Sequence, residues 1–408
     1  MARIDDFKNA YKNNPVGIYL FAALIPINPK FYTLGIILLV VDLIIRKFII
    51  RLEATPTKKS VIQINYWLII FFLLHVTGLF YSENVGFATM DIGMKLSFLV
   101  FPILFLIYPL KVNWTYLAKA FILGAIISIF VSVGHATYVY MKEGFFSNFF
   151  DSRLSFLMHR SYWASYLIVA YSFSWYLFLK KELSTIGSAT LLVLFSLFTF
   201  MSGSKMGILI LLIITSSWII YLITKNKKYK LGLISVGLFL GVGWTTYTYA
   251  PQLNTRINNG IQSIFGGEKI EPTSTESNDA RILVWSSALD EIKENPLLGV
   301  GTGDIKDQLK ARNIKNGYTG IASLNLNAHN QFFNTQLALG IFGLIALVLS
   351  FVQPFMKATG ELKFILRSIV GILFLSLLTE SFFETQAGII PGAFLLSLIG
   401  SSPTLKNK

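Results

Sequence analysis

Cysteine is absent from the 408-residue chain, which excludes disulfide staples and thiolate metal sites. Charge is scarce: 14% of residues are charged and 54% are hydrophobic. With a mean hydropathy of +0.60, this composition excludes the surface of a set of soluble domains. Histidine occurs four times, at His75, His135, His159 and His329, never at the i, i+4 spacing of a helical metal pair. No Asp-x-Asp pattern stands in for one, so neither a zinc nor a divalent-metal site is expected. The basic pI near 9.6 lacks the contiguous basic face with interleaved aromatics that nucleic-acid binding requires. No small-residue cleavage site follows the first apolar run, which therefore reads as a retained helix.

What the chain has in abundance is long apolar runs. They are continuous rather than alternating, which predicts an all-α polytopic membrane protein, because each spanning segment must satisfy its own backbone hydrogen bonds in lipid. The runs fall at 15–28, 31–46, 61–80, 92–110, 116–141, 158–179, 185–202, 206–223, 231–249, 330–352, 365–380 and 385–401. The first two are short and read equally as a tilted or re-entrant pair about Pro26 and Pro29. About nine helices thus occupy 1–249, a hydrophilic loop occupies 250–329, and about three helices occupy 330–408. No internal repeat and no inverted pair of broken helices accompanies them.

The distribution of Lys and Arg orients the chain. With the N-terminus inside, the short cytoplasmic segments hold 21 of the 35 basic residues, among them Arg46, Lys47, Lys225, Lys227 and Lys228. The 250–329 loop instead carries eight basic and nine acidic residues, which places it outside, with both termini cytoplasmic. Within this loop, Ile282, Trp285, Leu289 and Ile292 predict an amphipathic helix, with Asn278 or Asp279 as its cap. The run Pro296-Leu-Leu-Gly-Val-Gly-Thr-Gly303 follows a helix rather than a strand. It reads as a flexible turn before a second short helix near 304–312, in preference to a phosphate cradle.

Ionisable residues at the ends of membrane helices are costly and commonly mark a site. Arg160 opens the sixth run, Lys205 lies between the seventh and eighth, Arg281 opens the loop helix and His329 opens the tenth run, all outward in this topology. Three cations and a histidine suit a diphosphate ligand, since guanidinium grips phosphate in a fork and Lys acts as a point charge. His329 is the general-base candidate for activating a sugar hydroxyl. Bland readings stand beside these. Lys205 serves as a turn residue or headgroup anchor, Arg160 snorkels to the interface, Arg281 pairs with Asp279 or Glu268, and His329 caps its helix with Asn330.

An ordered set of motifs resembles the O-antigen ligase and polymerase superfamily of bacterial envelope glycosyltransferases. It comprises Phe198-Thr-Phe-Met-Ser-Gly-Ser-Lys-Met-Gly207, Arg281 with Trp285, Asn295-Pro-Leu-Leu-Gly-Val-Gly-Thr-Gly303, His329-Asn-Gln-Phe-Phe-Asn334 and Leu337-Ala-Leu-Gly340. The resemblance implies a glycosyltransferase type C-like fold in the bacterial inner membrane, acting in lipopolysaccharide biosynthesis with the large loop periplasmic. It implies transfer of a glycan from undecaprenyl diphosphate to a lipid A–core acceptor, inverting and without metal or nucleotide cofactor. It also maps the family's catalytic arginine and histidine onto Arg281 and His329, with the diphosphate held by Arg281, Lys205 and Arg160. Lys205 departs from an arginine in the family pattern, keeping the charge and losing the fork. A Wzy-type polymerase and a protein O-oligosaccharyltransferase share this resemblance. A transporter of lipid-linked glycans is the alternative from another class.

Overall fold

The computed structural model describes residues 14–48, 64–107, 112–227, scattered positions within 229–248, 270–324 except 276, and 326–401. Every regular element among them is a helix. Four of these helices are long and apolar enough to cross a membrane: Val85–Ile107, Trp114–Glu143, Lys205–Lys225 and Gln331–Lys357. Tyr66–Leu79, Thr185–Met201 and Gln386–Ser401 are shorter and apolar. The expected span at 231–249 and the first part of the 250–329 loop lie largely outside the described residues. The first expected span is a helix of only 9 residues, Val16–Leu24, about 13 Å long at 1.5 Å per residue and too short to cross alone. The span expected at 92–110 begins earlier, at Val85, with the Asn84 side chain accepting from the Phe87 N–H. Its first turns carry Asp91 and Lys95, whose charges had masked a helix that closes them into a buried i, i+4 pair.

The chain forms two compact units, each discontinuous in sequence. One comprises residues 1–56, 107–257 and 361–372. At its heart is Arg160–Leu179, buried on all sides from Tyr162 to Leu177 and packed against Trp114–Glu143, Thr185–Met201 and Lys205–Asn226. A helix buried on every face is one enclosed by others, and some of its polar atoms find partners across the helix contacts. The Trp163 indole donates to Ser128 Oγ at 3.0 Å, and Thr215 Oγ1 donates to the Tyr171 hydroxyl at 3.0 Å.

The second unit comprises residues 57–106, 258–360 and 373–408. Gln331–Lys357 is its central helix, packed against Tyr66–Leu79, Ser277–Glu294 and Gln386–Ser401. The helix breaks at Gly340, whose φ is 61° and ψ −155°, and the break receives the glycine run. The Val300 and Gly301 N–H groups donate to the Leu337 and Ala338 carbonyls at 2.7 and 3.0 Å, while the Ile341 N–H donates to the Pro296 carbonyl at 3.0 Å. Glycine is required on both sides of this seam. A Cβ on Gly299 would lie 2.3 Å from the Leu337 oxygen, and one on Gly340 would lie 2.1 Å from the Leu297 oxygen. The run is a turn, as its position after a helix predicts, and it is docked rather than flexible.

The loop helices belong to this unit. Ser277–Glu294 begins one residue before Asn278, so Asn278 and Asp279 sit in its first turn instead of capping it. Its buried face is Ala280, Leu283, Val284, Ser287, Ala288, Glu291 and Ile292, whereas Leu289 is exposed. The expected stripe is rotated because two of the inward positions are polar. Glu291 is inward to meet Arg312 of Ile305–Lys315, whose Nε and Nη2 donate to it at 2.9 and 2.7 Å. Arg312 also binds Glu294, and together these bonds hold the two helices side by side. The Glu294 carboxyl is pulled below its ordinary range, chiefly by its hydrogen bond from Arg312.

Candidate functional site

Arg281 and His329 come together in the second unit, on either side of a carboxylate. Arg281 lies in the first turns of Ser277–Glu294, and its Nη2 donates to Glu380 Oε1 at 3.1 Å. His329 Nδ1 lies 3.5 Å from Glu380 Oε2. The three side chains are 23%, 30% and 11% exposed, respectively. Arg281 therefore pairs with Glu380 and not with Asp279, whose carboxylate accepts from Ser274 Oγ at 2.9 Å.

The backbone around His329 is held from several directions. Its φ is 44°, the left-handed region that non-glycine residues enter at a cost and that recurs at functional sites. Asn327 Oδ1 accepts from the His329 N–H at 3.0 Å. One helical turn along from Arg281, Trp285 donates from its indole to the Ala328 carbonyl at 2.8 Å. Asn330, rather than His329, caps the following helix, its Oδ1 accepting from the Phe332 and Phe333 N–H groups. The Arg281–Trp285 pair thus reaches the histidine twice, through Glu380 and through Ala328. The imidazole Nδ1 is buried without a hydrogen bond.

Glu380 sits in an irregular segment that joins Lys363–Ser376 to Gln386–Ser401. Gln331, two residues beyond His329, binds both ends of this segment. Its N–H donates to the Leu377 carbonyl at 2.9 Å, its Oε1 accepts from the Phe383 N–H at 2.7 Å, and its Nε2 donates to Glu384 Oε1 at 3.1 Å. The other oxygen of Glu384 accepts from Lys95 Nζ at 3.0 Å, and Lys95 also binds both oxygens of Asp91, at 2.5 and 2.7 Å. His75 Nδ1 stands 3.8 Å from Asp91, so a buried ionic cluster lies behind the site.

The remaining two expected residues belong to the other unit. Arg160 is the first residue of Arg160–Leu179 and forms an ion pair with Asp151. Lys205 is the first residue of Lys205–Asn226, where the Ser204 side chain caps by accepting from the Gly207 N–H. A cation at a helix N-terminus is placed against the helix dipole, so local helix energetics do not account for it.

Glu380, Glu384, Lys95 and Asp91 were absent from the expected site. Their signal was present in the sequence, because carboxylates at 380 and 384 interrupt apolar runs where charge is expensive.

Residues 190–348 match the model of the O-antigen ligase family. The match supports a place for the chain in that superfamily, and it spans Lys205, Arg281 and His329 but neither Arg160 nor Glu380. An uncharacterized protein of Haemophilus influenzae (strain KW20 / Rd) is 28% identical over 188 residues, 43% of this chain and 44% of that protein. The similarity therefore spans less than half the length of that relative.

Proposed function

With an O-antigen ligase domain in an apolar, helical membrane protein as the premise, we propose that the chain transfers a glycan from undecaprenyl diphosphate to the sugar of a lipid A–core acceptor. The observation that carries this reading is Glu380 set between Arg281 and His329, because it brings a diphosphate-binding cation and a proton acceptor to one carboxylate. The acceptor hydroxyl oxygen attacks the anomeric carbon and its proton passes to His329 Nε2. The bond from that carbon to the diphosphate oxygen breaks. Its electron pair leaves with the polyprenyl diphosphate, whose growing charge Arg281 stabilises. Attack opposite the leaving group inverts the anomeric configuration. The reaction needs no metal in this scheme, since cationic side chains take the place of one. Lys205 and Arg160 are proposed on their charge as further phosphate-binding residues, with the donor KM of Lys205→Gln and Arg160→Gln as the readout.

The charge asymmetry of the loops supports an inner-membrane protein with cytoplasmic termini and a periplasmic 250–329 loop. Purified protein in detergent, given lipid-linked donor and lipid A–core acceptor, is expected to form the glycosylated acceptor and release undecaprenyl diphosphate. His329→Ala is expected to slow transfer by about 10²–10⁴-fold, and Arg281→Ala by about 10²–10³-fold. Wild-type transfer in either variant refutes the assignment.

A further inference from the structure

A carboxylate that is 11% exposed needs partners, and among the described contacts of Glu380 one oxygen faces Arg281 and the other faces His329. The Arg281 bond is made at 3.1 Å. The contact with His329 Nδ1, at 3.5 Å, is a few tenths of an ångström longer than a hydrogen bond, and Nδ1 is buried with no other hydrogen bond. Catalytic hydrogen bonds are commonly long before substrate arrives and tighten in the complex. The main chain at the root of the imidazole is already fixed by Asn327, Trp285 and Asn330, which leaves ring orientation and tautomer to be determined. The root of Glu380 is fixed to the same scaffold, since Gln331 holds Leu377, Phe383 and Glu384.

We propose that Glu380 is a positioning residue: it accepts the Nδ1–H of His329, fixes that tautomer, and leaves the Nε2 lone pair aimed at the acceptor hydroxyl. Arrival of the donor diphosphate draws Arg281 away from Glu380 and lets the carboxylate close on the imidazole, so the base is set as the donor binds. The use made of Nε2 rests on the glycosyl-transfer reading, whereas the tautomer itself does not. Among the described residues of this unit, the charged groups about His329 are Glu380 and, through it, Arg281 of the loop helix. Behind them, Glu384 is neutralised by Lys95, which it shares with Asp91.

Ring ¹⁵N shifts of the full chain in micelles, labelled at its four histidines and read with the imidazoles neutral, report the tautomer directly. His329→Ala identifies the His329 signals. The wild type is expected in the Nδ1–H form, with its fraction rising when inorganic pyrophosphate is added. Glu380→Ala is expected to revert to the Nε2–H form that free imidazole side chains prefer. Glu380→Gln, which keeps an acceptor oxygen, is expected to retain part of the Nδ1–H population. Unchanged signals from the other three histidines establish that the variants fold. A wild-type Nε2–H form, or Glu380→Ala remaining Nδ1–H, overturns the positioning role. No response to pyrophosphate overturns its coupling to the donor. In transfer assays Glu380→Ala is expected to lower kcat on the order of 10²-fold, with partial recovery in Glu380→Gln. A loss confined to donor KM assigns Glu380 to Arg281 alone and overturns the proposal. Full transfer by His329→Ala overturns the glycosyl-transfer reading instead and leaves the tautomer result standing.

Discussion

Replacing Gly340 by Ala tests whether the seam between the glycine run and the broken helix holds the site together. The added Cβ would sit 2.1 Å from the Leu297 oxygen and 2.2 Å from its carbonyl carbon, contacts with backbone that no rotamer change relieves. The conformation itself, φ 61° and ψ −155°, is one that essentially only glycine occupies, and imposing it on Ala costs about 1–3 kcal/mol. If the run lifts away instead, the hydrogen bonds from Val300, Gly301 and Ile341 weaken, at about 0.5–1.5 kcal/mol each. By either route the loss is on the order of 1–4 kcal/mol, a large part of the stability of an ordinary domain. Thermal unfolding in detergent reads the loss, and amide exchange over 296–303 reads where it falls. Gly134→Ala is the matched control. It lies within Trp114–Glu143 with nothing within 4 Å of its added Cβ, and Ala in a helix interior is neutral or favourable by up to about 1 kcal/mol. If Gly340→Ala leaves both the unfolding temperature and the 296–303 protection unchanged, the seam is not what joins these segments.

Lys95→Met strips the cation from the buried Asp91 and the partly buried Glu384, and is expected to destabilise by about 3–5 kcal/mol. The triple variant Lys95→Met, Asp91→Asn, Glu384→Gln is expected to recover most of that loss in a thermal unfolding assay. The Arg312–Glu294 contact is expected to be acid-sensitive. The Glu294 carboxyl sits below its usual 4.5 in the folded chain, so its stabilisation is present above pH 4.5 and is lost as pH falls through the lower folded value. Protection of the 305–315 helix, taken as the amide exchange rate relative to the unfolded-chain rate at the same pH, is therefore expected to fall below pH 4.5, with a smaller acid response in Glu294→Gln.

Legibility in the sequence followed the physics of each signal. Apolar runs gave the helical class, because lipid demands them whatever the tertiary arrangement. The loop helices at 277–294 and 305–315 were readable from spacing and from Pro296. The inward face of the first was not readable, since Glu291 is buried only because Arg312, 21 residues away, neutralises it. The same blindness hid the start of Val85–Ile107, where Asp91 and Lys95 look like solvent charges until the helix pairs them. Arg281 and His329 stood out as candidates because cations and imidazoles at helix ends are conspicuous, and the structure brings both to Glu380. Glu380 did not stand out because its contacts depend on three segments meeting: the loop helix, the turn at His329 with its left-handed backbone, and the link after Ser376.

Those meetings are made by main-chain and amide groups whose identity the reacting chemistry does not specify. Gln331 touches neither Arg281 nor His329 through any described hydrogen bond, yet it ties the Glu380 segment to the helix that His329 precedes. Trp285 makes no ion pair, yet its indole proton fixes the carbonyl before the histidine. The glycine run carries no reactive group, yet it occupies the break in the helix whose first turn follows His329. A charge search of the sequence recovers the groups that would react; the groups that give them a fixed geometry are recovered only by asking where each buried backbone N–H and carbonyl is satisfied.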